Sequence, residues 1–199
     1  MHSRLISIIL IGLAAGGLAA WLIVSGPNDG VPATETTGQA LIGGPFSLID
    51  HTGKRVTEKD FLGRKTLVYF GFTSCPDVCP TGLQAIAAAL DQLGAKGEAI
   101  TPLFITVDAE RDTPAKMSEY VKSFHPRLVG LTGSPGEVAA AAKAYRVYYN
   151  KVADPKTPGA YSVDHVALFY LMDEKGVFVR HFTHPIEATK LAAELAKSL

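Results

Sequence analysis

The sequence predicts an α/β fold in which helices pack against a largely parallel sheet. Three observations indicate it. Thr66–Phe72 and Leu103–Val107 are short, continuous apolar runs, as expected for strands that are buried on both faces. Segments with apolar residues at helical spacing follow these runs. Hydrophobic residues make up 47% of the 199-residue chain, which is enough for one packed domain with an extension.

Turn and capping residues separate the predicted elements. A helix preceded by Ser or Thr, with Pro at its first position, is indicated at Thr113 and again at Ser134. The acidic segment 108–112 is interpreted as a loop and helix start, with Asp112 or Thr113 as the cap. The predicted elements, in chain order, are strands 46–50, 55–57 and 66–72, a helix from Pro80, strand 103–107, a helix from Pro114, strand 128–131, a helix from Pro135 to about Tyr145, strands 166–172 and 177–182, and a helix within 185–199.

The order of these elements limits the folds that the chain can adopt. Helices between successive buried strands imply parallel pairing through right-handed crossovers, and the last two strands form an antiparallel hairpin around a turn at 173–176. Strands 46–50 and 55–57 flank a turn and predict another hairpin at the start. We therefore predict a thioredoxin-like three-layer α/β sandwich over residues 45–199, with an N-terminal β-hairpin.

The first 44 residues have a different composition. Leu5–Val24 has no charged side chain, and its 20 residues would span about 30 Å as a helix, the thickness of a bilayer core. Arg4 precedes it and acidic residues follow, so we predict a cytoplasmic tail at 1–4, a transmembrane anchor at 5–24 and a flexible tether at 25–44. The alternative is a cleaved signal peptide, whose apolar region is usually shorter. Either interpretation places the domain in an oxidising compartment. With the anchor, that is the periplasmic side of a cell inner membrane, or the intermembrane space if the protein is mitochondrial.

Charge excludes one class of function. The chain has 19 Lys and Arg residues against 19 Asp and Glu residues, and no run of basic residues occurs anywhere in it. A protein that binds nucleic acid usually carries a basic patch or stripe. We therefore predict no nucleic-acid partner.

The only two cysteines lie together in Cys75-Pro-Asp-Val-Cys79, where a predicted buried strand ends and a helix begins. The positive end of a helix stabilises thiolate and lowers the thiol pKa, and thiolate is the form that attacks disulfides and binds metals. Thioredoxin-like oxidoreductases have two residues between their cysteines; the three found here leave room for a disulfide or for two sulfurs around one ion. Two such ligands are too few for structural zinc, which takes four. Two thiolates and one imidazole would suit copper, Cu(I) in particular.

His165 is the best placed of six histidines to complete such a site. It precedes a late predicted strand whose start, in thioredoxin-like proteins, approaches the cysteine loop. We expect its neighbour Asp164 to orient the ring or to assist the charged site. A histidine beside a strand is more often a core or surface residue, so the residues alone leave the role of His165 open.

Four segments of the chain together form a specific pattern: Phe72-Thr-Ser-Cys-Pro-Asp-Val-Cys-Pro-Thr81, Asp108-Ala-Glu-Arg-Asp-Thr-Pro114, Gly130-Leu-Thr-Gly133, and Val163-Asp-His165 leading to Tyr170-Leu-Met-Asp173. In these segments the chain resembles the SCO/SenC copper chaperones of cytochrome c oxidase assembly. The resemblance implies copper bound by Cys75, Cys79 and His165, as Cu(I) and with Cu(II) as a further candidate. Ala109 stands where this family commonly has Pro, and Val166 where Ser is frequent; neither is a ligand.

The function that the resemblance implies is a non-enzymatic metallochaperone. Its partner would be the copper-site subunit of cytochrome c oxidase, with another copper chaperone or a thiol reductant as further partners. The alternative is a thiol–disulfide oxidoreductase, with Cys75 and Cys79 as its redox-active pair, that keeps the oxidase's copper-site cysteines reduced. A peroxidase of peroxiredoxin type is disfavoured because Tyr69 stands where that pattern requires Pro. A purely structural disulfide is disfavoured because a disulfide that closes so short a loop stabilises the folded state least.

Overall fold

The computed structural model of the protein describes residues 41–199. Within these residues, nine strands and four α-helices are joined by short connections. The strands are β1 (Ser47–Asp50), β2 (Arg55–Thr57), β3 (Lys65–Gly71), β4 (Ile100–Thr106), β5 (Val129–Thr132), β6 (Tyr149–Ala153), β7 (Tyr161–His165), β8 (Leu168–Met172) and β9 (Phe178–Thr183). The helices are α1 (Val78–Leu93), α2 (Pro114–Lys122), α3 (Pro135–Ala144) and α4 (Ala188–Ala196).

Seven strands form one mixed sheet in the order β2-β1-β5-β4-β3-β8-β9. β3, β4 and β5 pair in parallel, as predicted from the helices between them. The predicted N-terminal hairpin is confirmed as β1–β2, and it joins the sheet antiparallel to β5. The predicted late hairpin is confirmed as β8–β9, with β8 antiparallel to β3. β3 therefore lies well inside the sheet, and its carboxyl end leads directly into the cysteines.

Two side chains of β3 show that the sheet lies between two layers of helices. Tyr69 points to one face, where its hydroxyl donates to a carbonyl in the first turn of α1 and its ring packs against Phe104, which in turn contacts Tyr120 of α2. Phe70 points to the opposite face, because successive strand residues alternate, and packs against Tyr145 at the end of α3. α4 packs against α1. Helices thus cover both faces, and the predicted thioredoxin-like sandwich is confirmed.

The predicted helix caps are present. The Thr113 hydroxyl accepts a hydrogen bond from a backbone N–H in the first turn of α2, and Ser134 forms a capping box with Glu137 at the start of α3. α1 begins at Val78, two residues before its predicted start at Pro80. The sulfur of Cys75 accepts a hydrogen bond from an N–H at that end, which satisfies a group that helix geometry otherwise leaves free.

The hairpin β6–β7 was not predicted. These two strands pair with each other in a separate antiparallel sheet. His165 was expected just before a strand starting at Val166; it is instead the last residue of β7, and β8 begins at Leu168. β6 is mostly exposed, and in β7 exposed residues alternate with buried or partly buried ones, so neither strand has the continuous apolar run that marks β3 and β4.

The predicted tail, the transmembrane anchor at 5–24 and most of the tether lie outside the described residues. Among residues 41–199, none of the helices combines the length and the apolar character that crossing a bilayer requires. The end of the predicted tether contacts the domain, because the backbone N–H of Gly43 donates to the carbonyl of Ala144 at 3.0 Å.

Candidate metal centre

Cys75 and Cys79 lie where β3 ends and α1 begins. The chain turns sharply after Phe72, whose carbonyl accepts a hydrogen bond from the Cys75 N–H at 3.2 Å. Cys79 is the second residue of α1 and is fully buried, whereas Cys75 is partly exposed. The Cys79 N–H donates to the Cys75 sulfur at 3.4 Å. Both cysteines are free thiols, and their sulfurs lie at the positive end of the helix, as predicted.

The two thiols differ in pKa. A hydrogen bond from the Cys79 thiol, assisted by the His165 ring and by backbone N–H groups, lowers the pKa of Cys75 to about 4, although burial acts against it. The pKa of Cys79 is raised, because its proton is held by the Cys75 sulfur and because the side chain is buried. At neutral pH the metal-free pair therefore carries one negative charge, on the more exposed sulfur.

The imidazole of His165 lies against these sulfurs. Its Nε2 is 3.4 Å from the Cys79 Sγ, and its Nδ1 is 3.2 Å from the Val166 carbonyl oxygen. The Nδ1 side of the ring therefore faces a backbone acceptor, and Nε2 faces the sulfurs. The ring stands edge-on to Phe72 and Tyr69, with centroid distances of 5.8 Å and 6.5 Å. Packing and one hydrogen bond thus orient the ring toward the cysteines.

The three side chains together offer one set of metal ligands. The sulfurs of Cys75 and Cys79 and an imidazole nitrogen of His165 all lie within 4.8 Å of one another. Ligands at about 2.0–2.3 Å from a shared ion lie no more than about 4.6 Å apart, so small movements would close this set around a metal. Two soft sulfurs and one imidazole suit Cu(I) better than they suit hard cations. Within residues 41–199 this is the one such group of His, Cys, Asp and Glu side chains.

Asp164 does not join this group. It is exposed on β7, and successive strand residues point to opposite faces, so its carboxylate faces away from the side on which His165 meets the sulfurs. The Val166 carbonyl, rather than this carboxylate, contacts the ring. An influence of Asp164 on the site through its charge stays a prediction.

The family model described as SCO1/SenC matches residues 34–199. The chain belongs to the SCO1/SenC family. The match covers every residue of the fold and of the site, and it confirms the resemblance that the four sequence segments indicated.

Proteins of this family match the chain over most of its length. Protein SCO1 homolog 1, mitochondrial, of Arabidopsis thaliana is 47% identical over 165 residues, which are 82% of this chain and 49% of that protein; the SCO1/SenC chain thus spans about half the length of this relative. The crystal structure of Arabidopsis thaliana ScoI with copper bound has 48% identity and a TM-score of 0.74, covering 78% of this chain and 96% of that one. BsSco, described as a member of the Sco family of cytochrome c oxidase assembly proteins, is 21% identical with a TM-score of 0.61 over 79% of this chain and 93% of its own, and it shares the fold.

Two residues that hold the site in this SCO1/SenC chain were not predicted to be functional. The sequence favours Asp112 or Thr113 as a helix cap, but Asp112 is a fully buried carboxylate that accepts a hydrogen bond from Thr73, two residues before Cys75. Tyr161 belongs to no motif in the sequence, yet its hydroxyl attaches the hairpin that carries His165 to Asp108. A signal for this hairpin was present: residues 161–165 alternate in polarity and follow a segment rich in turn residues.

Proposed function

We propose that the protein is a membrane-anchored copper metallochaperone. It binds Cu(I) through Cys75, Cys79 and His165 and assists assembly of the binuclear copper centre of cytochrome c oxidase. The observation that carries the proposal is the placement of two sulfurs and one imidazole within 4.8 Å of one another. Copper in a related structure of 48% identity supports the choice of metal. The apolar segment 5–24 supports an anchor that holds the domain on the periplasmic side of the inner membrane, or on the intermembrane-space side of the mitochondrial one.

Copper would pass to the partner by ligand exchange. Cys75 is partly exposed and Cys79 is buried, so a ligand of the partner can reach the ion from the Cys75 side before any bond to the chain breaks. Metal binding must also displace the Cys79 proton, and the affinity should therefore increase with pH. Oxidation to a Cys75–Cys79 disulfide removes both thiolates, so the redox state of the pair controls loading.

Anaerobic Cu(I) titration of the full chain in detergent, against a competing chelator, tests the proposal. His165→Ala should weaken binding by at least about tenfold, since even changes to residues around metal ligands cost that much. His181→Ala is the control, because His181 is exposed and lies outside the ligand group. X-ray absorption should count two sulfurs and one nitrogen in the wild type and lose the nitrogen in His165→Ala. Equal affinity of His165→Ala and wild type would show that the three-ligand assignment is wrong.

The difference in pKa between the two thiols also favours a second function, which is reduction of a disulfide between the oxidase's copper-site cysteines. The Cys75 thiolate would attack the partner disulfide and release one partner thiolate. Cys79, after losing its proton to solvent, would attack the Cys75 sulfur and release the second thiolate. The partner gains two electrons, the chain is left with a Cys75–Cys79 disulfide, and an external dithiol must reduce it again. His165 forms and breaks no bond in these steps, so His165→Ala should retain this reductase activity, at a lower rate because the ring helps to lower the Cys75 pKa, while it loses copper affinity.

A further inference from the structure

One loop contacts both segments that carry the proposed metal ligands. It runs from Asp108 to Asp112, between β4 and α2, and is named here the 108–112 loop. Thr106, at the end of β4, ties its two ends together. The Thr106 hydroxyl donates to the Asp112 carboxylate at 2.6 Å and accepts from the Asp108 N–H at 2.9 Å. Asp108 and Asp112 are almost completely buried, so the loop is part of the core rather than a solvated connection.

At one end of the loop, Asp112 holds the cysteine segment. One carboxylate oxygen accepts from the Thr73 N–H at 2.9 Å, and the other accepts from the Thr73 hydroxyl at 2.5 Å. The ammonium of Lys116 lies 3.5 Å from this carboxylate and donates to the Ser74 hydroxyl at 3.1 Å. Thr73 and Ser74 directly precede Cys75. A buried carboxylate is tolerated only when its oxygens are hydrogen-bonded, so these contacts fix the segment in one conformation.

At the other end, Asp108 and Arg111 hold the hairpin β6–β7. The Tyr161 hydroxyl donates to the Asp108 carboxylate at 2.8 Å. The guanidinium of Arg111 pairs with the same carboxylate, donates to the Tyr161 carbonyl at 3.0 Å and lies 3.9 Å from the centre of the Tyr161 ring. Tyr161 and His165 are the first and last residues of β7 and point to the same side of it. Because the hairpin shares no strand pairing with the seven-stranded sheet, side-chain contacts such as these set its orientation.

We propose that the 108–112 loop sets the distance between the sulfurs and the imidazole, with Asp112 and Asp108 as positioning residues. Asp112 acts on the cysteines through Thr73, and Asp108 acts on His165 through Tyr161. The inference rests on the proposed copper site, but the two attachments also exist in the metal-free protein. Each attachment acts on a different ligand, so their removal should have separable effects.

Two conservative variants separate these effects. Tyr161→Phe removes one hydroxyl and keeps the ring beside Arg111; Thr73→Val removes the hydroxyl that binds Asp112 and keeps the shape. Each should lower the Cu(I) affinity of the full chain by about tenfold. Combined with His165→Ala, Tyr161→Phe should have no further effect, because the imidazole that it positions is gone. Thr73→Val should still weaken binding in that background, because it acts through the cysteines.

Tyr148→Phe is the matched control, since Tyr148 is exposed and lies next to the same hairpin. A change of the copper affinity by Tyr161→Phe that is equally large with and without His165 would overturn the inference, and so would no change at all. A failure of the copper site itself looks different: wild type and His165→Ala would then bind copper equally.

NMR of the metal-free, reduced protein tests the inference without copper. Tyr161→Phe should shift the imidazole resonances of His165 and speed amide exchange in residues 149–165, whereas Tyr148→Phe should change neither. Unchanged His165 resonances in Tyr161→Phe would overturn the inference whatever the copper titrations show.

Discussion

Gly71, the last residue of β3, lies directly against the sulfur of Cys79. A Cβ added here would stand 2.7 Å from that Sγ and 2.7 Å from the nearest ring carbon of Phe104. Nonbonded heavy atoms prefer about 3.5–4.0 Å, so the sulfur and the ring would each have to move by about an ångström. Both side chains are completely buried. Forcing a methyl group into a packed core costs about 1–3 kcal/mol, and the lower chain entropy of unfolded Ala offsets about 0.5–1 kcal/mol.

Gly71→Ala should therefore lower the free energy of unfolding by about 1–2 kcal/mol and Tm by roughly 2–8 °C, as measured by thermal and urea unfolding of the reduced protein. It should also weaken Cu(I) binding, because the displaced sulfur no longer sits 3.4 Å from the His165 imidazole. Gly136→Ala is the control: a Cβ there meets no atom within 4 Å, and Ala in a helix gains up to about 1 kcal/mol over Gly. A Gly71→Ala protein with wild-type stability and copper affinity would refute the steric argument.

Three further predictions concern the side chains around the site. Cys75 should react with iodoacetamide well before Cys79, at a rate that falls below pH 6 with a midpoint near its pKa of about 4, as mass spectrometry of quenched samples can measure. Because folding lowers this pKa from 9.0, the unfolded chain binds the extra proton, and the stability of the reduced, metal-free protein should rise as the pH increases from about 4 toward 9; a flat profile of Tm against pH would contradict this. Tyr69→Phe should cost about 1 kcal/mol in urea unfolding, because the buried Tyr69 hydroxyl donates to the Val78 carbonyl at 3.1 Å; a loss below 0.3 kcal/mol would contradict a contribution from this bond.

The strands of the central sheet could be predicted because each is recognisable from its own residues. β3 and β4 are apolar runs buried on both faces, and the caps at Thr113 and Ser134 are local patterns that need no distant partner. The cysteine pair could also be placed, since its position follows from the end of β3 and the start of α1.

The hairpin β6–β7 could not be predicted in this way, because distant residues hold it. Tyr161 binds Asp108 and Arg111, which lie 53 and 50 residues earlier in the chain. The same limit applies to the candidate metal centre: nothing near His165 in the sequence marks it as a candidate ligand, and only the family pattern connects it with the cysteines. Asp112 precedes a helix, where a polar residue can be either a helix cap or a buried hydrogen-bond acceptor for another segment. The sequence pattern does not distinguish these two roles.

The spacing of the three proposed copper ligands along the chain has a consequence for folding. Cys75 and Cys79 are 4 residues apart, whereas His165 lies 86 residues beyond Cys79. Even an unfolded chain keeps its two sulfurs close together, but it loses the imidazole. A metal that also binds the unfolded chain stabilises the native state less than one that binds the native state alone. Copper should therefore raise the melting temperature only to the extent that the imidazole and the fixed spacing of the sulfurs strengthen its binding to the native state. The two thiolates of an unfolded domain would still bind the ion.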